Sequence, residues 1–191
     1  MIVKPSWPRL WLILFSLVSG SSCSGLPHVL VPTDPLTAEE HVKLGAIYAR
    51  EALHVEAYRE FNGALNQKPD FVPALIGLGN LSYEEGKHEE AEQYYLRALS
   101  VVPGHPGASN NLAVIYAEQG QNILEAERLG LKALSSNSGL EPYILHTLAT
   151  VYFKQERFVE ARKALDQADA LISQNQVPLR DQIAKLRQEL P

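Results

Sequence analysis

Apolar and polar positions divide the 191-residue chain into three patterns. From Leu10 to Val18 every residue is apolar except Ser16. From residue 38 onward, small, aliphatic and aromatic residues return at helical spacing, in short amphipathic segments separated by polar breaks. From Pro178 a last segment carries Leu179, Ile183, Leu186 and Leu190 on one face, and Arg180, Asp181, Lys185, Arg187 and Glu189 on the other. The middle pattern predicts pairs of helices, and the last predicts one amphipathic helix over 176–191.

The middle pattern repeats. Gly45, Gly79 and Ala113 are spaced by 34 and 34, and Ala57, Ala91, Ala126 and Ala161 by 34, 35 and 35. Ala64, Ala98, Ala133 and Ala168 show the same spacing as the second set, and Pro69 and Pro103 are 34 apart. Phe61 and Tyr95 share a register, as do Tyr48, Tyr116 and Tyr152. Small residues at recurring positions let two helices approach closely, and large aromatics at others fill the space between helix pairs. Pro69 and Pro103 end second helices, Gly86 and Gly120 punctuate turns, and Asn122 with Glu125 reads as a capped helix start.

Leu44-Gly45, Tyr48, Ala57, Phe61, Ala64 and Pro69 reproduce, in order, the pattern of the tetratricopeptide repeat, which this chain resembles over residues 38–175. Later copies are looser: Ser82 replaces a tyrosine and Gly130 replaces the aromatic. The resemblance implies an all-α solenoid of four helix-turn-helix repeats (38–71, 72–105, 106–141 and 142–175), with two extra residues taken up in loops near 119–122 and 135–141. Arrays of this kind need a polar end, which the helix over 176–191 would supply as a cap.

The N-terminal pattern is an address rather than a domain. Lys4 and Arg9 precede the apolar run, and Ser19-Gly20-Ser21-Ser22-Cys23 follows it. That order makes a secretory signal peptide, and the run is about half of the ~20 residues a spanning helix needs. With the lone Cys closing the small-residue stretch, residues 1–22 resemble a bacterial lipoprotein signal. The resemblance implies lipidation of Cys23, and Ser24 after it favours an outer-membrane position facing the periplasm. Residues 24–37, with Pro27, Pro32 and Pro35, read as a stiff tether.

Composition then narrows the chemistry. A net charge of −5 argues against nucleic acid as a partner, and a single Cys excludes a disulfide scaffold or a multi-cysteine metal site. The six histidines never pair four apart on one helix, and His88-Glu89-Glu90 lacks the second His of a zinc-protease motif. Gly77-Leu78-Gly79 follows no strand and is accounted for by the repeat. These observations lead us to expect no enzyme, no cofactor and no metal.

What remains is a surface. In tetratricopeptide arrays the first helices of the repeats line a concave groove that binds peptides or helices. By register the groove positions are Arg50, Asn80, Tyr83, Asn110, Asn111, Val114, Tyr143, His146, Thr150 and Phe153. Asn side chains both donate and accept, and Tyr and Phe offer rigid apolar area. Ala46 and Val114 stand where a carboxylate clamp would need polar groups, so capture of a C-terminus is not expected. The expected role is an anchored adaptor for a protein or peptide partner of the envelope, resembling pilotin lipoproteins that assist a pilus or secretion machine. An accessory subunit of polysaccharide export and a docking regulator of a periplasmic hydrolase are the alternatives. The sequence assigns no oligomeric state.

Overall fold

The computed structural model describes residues 34–172 and 176–191. The predicted signal over 1–22, Cys23 and the tether as far as residue 33 lie outside them. Among the described residues there are nine α-helices and no strand: α1 (Ala38–Arg50), α2 (His54–Gln67), α3 (Val72–Glu84), α4 (His88–Val101), α5 (Pro106–Gln119), α6 (Ile123–Leu134), α7 (Glu141–Lys154), α8 (Phe158–Leu171) and α9 (Val177–Glu189). They form four antiparallel hairpins, α1–α2 to α7–α8, stacked in chain order, with α9 packed on α8 and α7. No helix among the described residues is long and apolar enough to cross a membrane.

Local chemistry sets the helix ends. The Thr37 hydroxyl accepts the Glu40 N–H at 3.2 Å while the Glu40 carboxylate accepts the Thr37 N–H at 2.8 Å, a reciprocal cap for α1. Proline stands in the first turn of α3, α5, α7 and α9, where its missing N–H removes no helical bond. Between the helices of each hairpin, one register position adopts a left-handed backbone: Ala52, Gly86, Gly120 and Glu156, with φ of 57°, 75°, 66° and 60°. The two glycines are legible in the sequence; Ala52 and Glu156 occupy the same strained turn without the residue that suits it. Asn122 does precede α6, but its backbone is left-handed (φ 48°) and its side chain makes no capping bond, contrary to the predicted cap.

The recurring small residues form the hairpin interfaces. Ala57, Ala64, Ala91, Ala98, Ala126, Ala133, Ala161 and Ala168 are all fully buried. A Cβ on Gly45 would lie 2.9 Å from the Phe61 ring, and one on Gly79 would lie 2.5 Å from the Tyr95 ring. Phe61 also abuts the next hairpin, where a Cβ on Gly77 would come within 2.5 Å of it. At Gly130, which replaces the aromatic, Leu148 of the following hairpin moves in, 2.7 Å from where a Cβ would stand. The volume lost on one helix is thus recovered from the next.

One buried polar pair has no signature in the repeat. His41 Nδ1 and Glu60 Oε2 are 2.8 Å apart, with both residues over nine-tenths buried. Gly63 makes room for the imidazole, since a Cβ there would lie 2.8 Å from His41 Cε1. At the other end, Leu179, Ile183 and Leu186 of α9 are buried. Arg187 pairs with Asp166 at 2.8 Å and Asp169 at 3.5 Å, but these groups are largely exposed. Each buried aliphatic contributes ~1.5–3 kcal/mol against about 0–1 kcal/mol for an exposed ion pair, so α9 is held by its apolar face.

Two substitutions are expected to move stability in opposite directions. Gly79→Ala gains about 1 kcal/mol of helix propensity, but overpacking against the buried Tyr95 ring costs ~1–3 kcal/mol, so the melting midpoint falls. Glu156→Gly relieves a left-handed turn worth roughly 1–2 kcal/mol, offset in part by chain entropy, so the midpoint rises by about 2–4 °C. Thermal melts followed by circular dichroism read both; a rise for the first or a fall for the second refutes the corresponding packing or turn argument.

Candidate functional site: the groove of the odd-numbered helices

Helices α1, α3, α5 and α7 line three adjoining hollows. The first, of about 340 Å³, lies between α1 and α3 and includes Val42, Ala46, Arg50, Ile76, Asn80 and Glu84. The second, of about 300 Å³, is lined by Asn80, Tyr83, Glu84, Tyr95, Asn111 and Val114. The third, of about 220 Å³, runs from Tyr83, Asn110 and Val114 across Tyr143, His146 and Thr150 to Leu179 and Gln182 of α9. Asn80 and Glu84 are common to the first two hollows, and Tyr83 and Val114 to the second and third, so the three form one continuous groove.

Nine of the ten register-predicted residues therefore line the groove. The tenth, Phe153, is half-buried at the α7–α8 turn, its ring 6.0 Å from that of Phe158. Cys23 lies outside the described residues. Sequence reasoning missed Glu84 and Glu118, although both share the register of Arg50, 34 and 68 residues on. It also missed Tyr95, which reaches the groove from a second helix, and Leu179 and Gln182, which belong to the predicted cap. The repeat period places no residue of α9, so no signal in the sequence points to those two.

A hydrogen-bonded cluster sits at the middle of the groove. Tyr95 Oη donates to Asn80 Oδ1 at 2.8 Å, and Asn111 Nδ2 donates to the same oxygen at 2.9 Å, joining α3, α4 and α5. Tyr83 Oη donates to Glu118 Oε1 at 2.6 Å. Burial, and after it the bond to Glu118, pushes the Tyr83 phenol well above its ordinary range, so it stays a donor. Burial likewise raises the Tyr95 phenol. In the third hollow, Thr150 Oγ1 donates to the His146 carbonyl at 3.1 Å, and the Asn110 side-chain oxygen is buried without a partner. Burial pushes the His146 imidazole below its ordinary 6.5, which favours its neutral form. The groove thus offers fixed donors and acceptors beside apolar area, an arrangement suited to binding.

Two histidines, His146 in the groove and His105 at the start of α5, carry lowered values that bear on stability. Burial is the first cause of the lowered values of both His146 and His105. His105 Nδ1 also accepts the Ala108 N–H at 3.3 Å, capping α5, a bond that protonation at Nδ1 removes. A histidine whose folded value is depressed binds fewer protons folded than unfolded. Its contribution is present above the ordinary value of 6.5 and is lost as the pH falls through the folded value. The melting midpoint is expected to drop between pH 7.5 and pH 5.5, above the ordinary carboxylate range. Replacing both residues, as His105→Asn and His146→Gln, should flatten that drop; an unchanged drop would assign it to other groups.

Comparison with known proteins places these features. A family model described as tetratricopeptide repeat matches residues 44–106 and 76–141, together more than half of the chain. Human protein O-mannosyl-transferase TMTC1 is 34% identical over 128 residues, which are 66% of this chain and 14% of that protein. The type IV pilus assembly protein PilF of Pseudomonas aeruginosa is 25% identical over 135 residues, 70% of this chain and 53% of PilF. The solved structure of Pseudomonas aeruginosa PilF is similar with a TM-score of 0.64 at 24% identity, covering 82% of this chain and 76% of that one. PilW, a widely conserved type IV pilus biogenesis factor, gives 0.67 at 20% identity, covering 74% and 64%. These structural likenesses speak to the fold. The chain belongs to the tetratricopeptide repeat family, whose helical arrays are scaffolds for protein–protein interaction.

Proposed function

We propose that this protein is a membrane-anchored adaptor of the bacterial envelope. It binds a peptide or helix of a protein partner in the groove of its odd-numbered helices and assists assembly of a pilus or secretion machine. The observation that carries the binding site is the continuous groove from Arg50 to Gln182.

The envelope part rests on the signal-like residues 1–22 and on Cys23, whose acylation would hold the domain at a bilayer by ~0.8 kcal/mol per buried methylene. The pilus part rests on the likeness to PilF and PilW. The likeness to the human transferase spans only 14% of that protein and supports no transferase reaction here.

Crosslinking the protein in its own cell, followed by mass spectrometry, tests the reading. One envelope protein is expected to be captured by the wild type and lost from an Asn110→Ala/Tyr143→Ala variant. A pilin or secretin as the captured protein supports the pilus reading; an export or hydrolase component replaces it while keeping the adaptor. Capture that survives the double substitution moves the binding site to the opposite face or to α9.

A further inference from the structure

The middle hollow and its border with the third combine two carboxylates, an aromatic ring and an aliphatic wall. Glu84 lines the middle hollow, and Glu118 lines the third, where its Oε1 accepts a bond from Tyr83, a residue shared by both. Among the described residues, the only basic nitrogen within 4 Å of Glu84 is His54 Nε2 at 3.9 Å, and Glu118 has none. At the same register position the four hairpins read Arg50, Glu84, Glu118 and Lys154, so the groove is acidic at its centre and basic towards its ends. Asn80 Oδ1 already accepts two bonds, from Tyr95 and Asn111, which leaves the Asn80 NH2 and the Asn111 carbonyl uncommitted.

We infer that the partner is an extended segment that places a lysine or arginine side chain in this middle hollow. The cation sits at Glu84 and Glu118, and the aliphatic stem lies along Tyr83 and Val114. The inference rests on the groove being the binding site. An acidic side chain or a C-terminal carboxylate would meet two like charges there, whereas a long cationic side chain satisfies both the carboxylates and the apolar wall. The ring of Tyr83 adds attraction for a cation over its face. The Asn80 NH2 and Asn111 carbonyl match the acceptor and donor that an extended backbone offers.

A positional-scanning decapeptide library on beads, probed with the labelled full-length protein, tests this. Lysine or arginine at one central position is expected to be retained about tenfold over glutamate and about fivefold over alanine, less so at raised salt. In Glu84→Gln/Glu118→Gln that preference falls to the alanine level. In Asn110→Ala/Tyr143→Ala all peptides weaken. A wild-type profile without basic preference, or one unchanged by the two glutamine substitutions, overturns the inference but leaves the groove standing if Asn110→Ala/Tyr143→Ala weakens binding. No retention at all, or a profile indifferent to Asn110→Ala/Tyr143→Ala, overturns the groove as well.

Discussion

The close approach of paired helices at alanine and glycine is the constraint on which the rest depends. Eight alanines at two recurring positions are fully buried, and glycines at a third admit the aromatic rings. A larger residue at any of them would push the helix axes apart. Because each hairpin stacks on the next through rings such as Phe61, a local separation would propagate to the groove. The groove is a face of the odd-numbered helices, which carry Gly45 and Gly79, while the eight alanines lie on their even-numbered partners.

Core and groove meet in one side chain. Tyr95 buries its ring against Gly79, and its hydroxyl sets the amide orientation of Asn80, which in turn holds Asn111. A residue that belongs to packing by its ring thus fixes two groups that line the groove. The adjacent Tyr83–Glu118 bond ties α3 to α5 along the groove, so its polar groups are pre-arranged rather than freely rotating.

The ends of the array are managed differently. At the first hairpin, a buried His41–Glu60 pair stands at the register positions that Leu75 and Tyr94 hold one repeat later. Removing one partner of such a pair leaves a buried polar group unsatisfied, so the pair locks α1 to α2 more than it adds net stability. At the last hairpin, α9 covers apolar surface and also extends the groove wall through Leu179 and Gln182. The helix that closes the array thus also lines the groove.

Periodicity determined most of what could be read from the chain alone. It gave the helix pairs, the small-residue columns, the family, and the register that brings Arg50, Asn80, Tyr83, Asn110, Asn111, Val114, Tyr143, His146 and Thr150 to one face, because all of these recur at a fixed spacing on a regular scaffold. Tertiary structure decided what breaks the period. Phe153 turns to Phe158 because the residues after Lys154 bring that ring beside it. Leu148 fills the space above Gly130, and Gly63 makes room for His41, because each depends on a neighbour of particular size on another helix. The pairing of Tyr95 with Asn80, and the entry of α9 into the groove, join residues with no shared register. Spacing along one helix specifies a face; only packing specifies which side chain from elsewhere meets it.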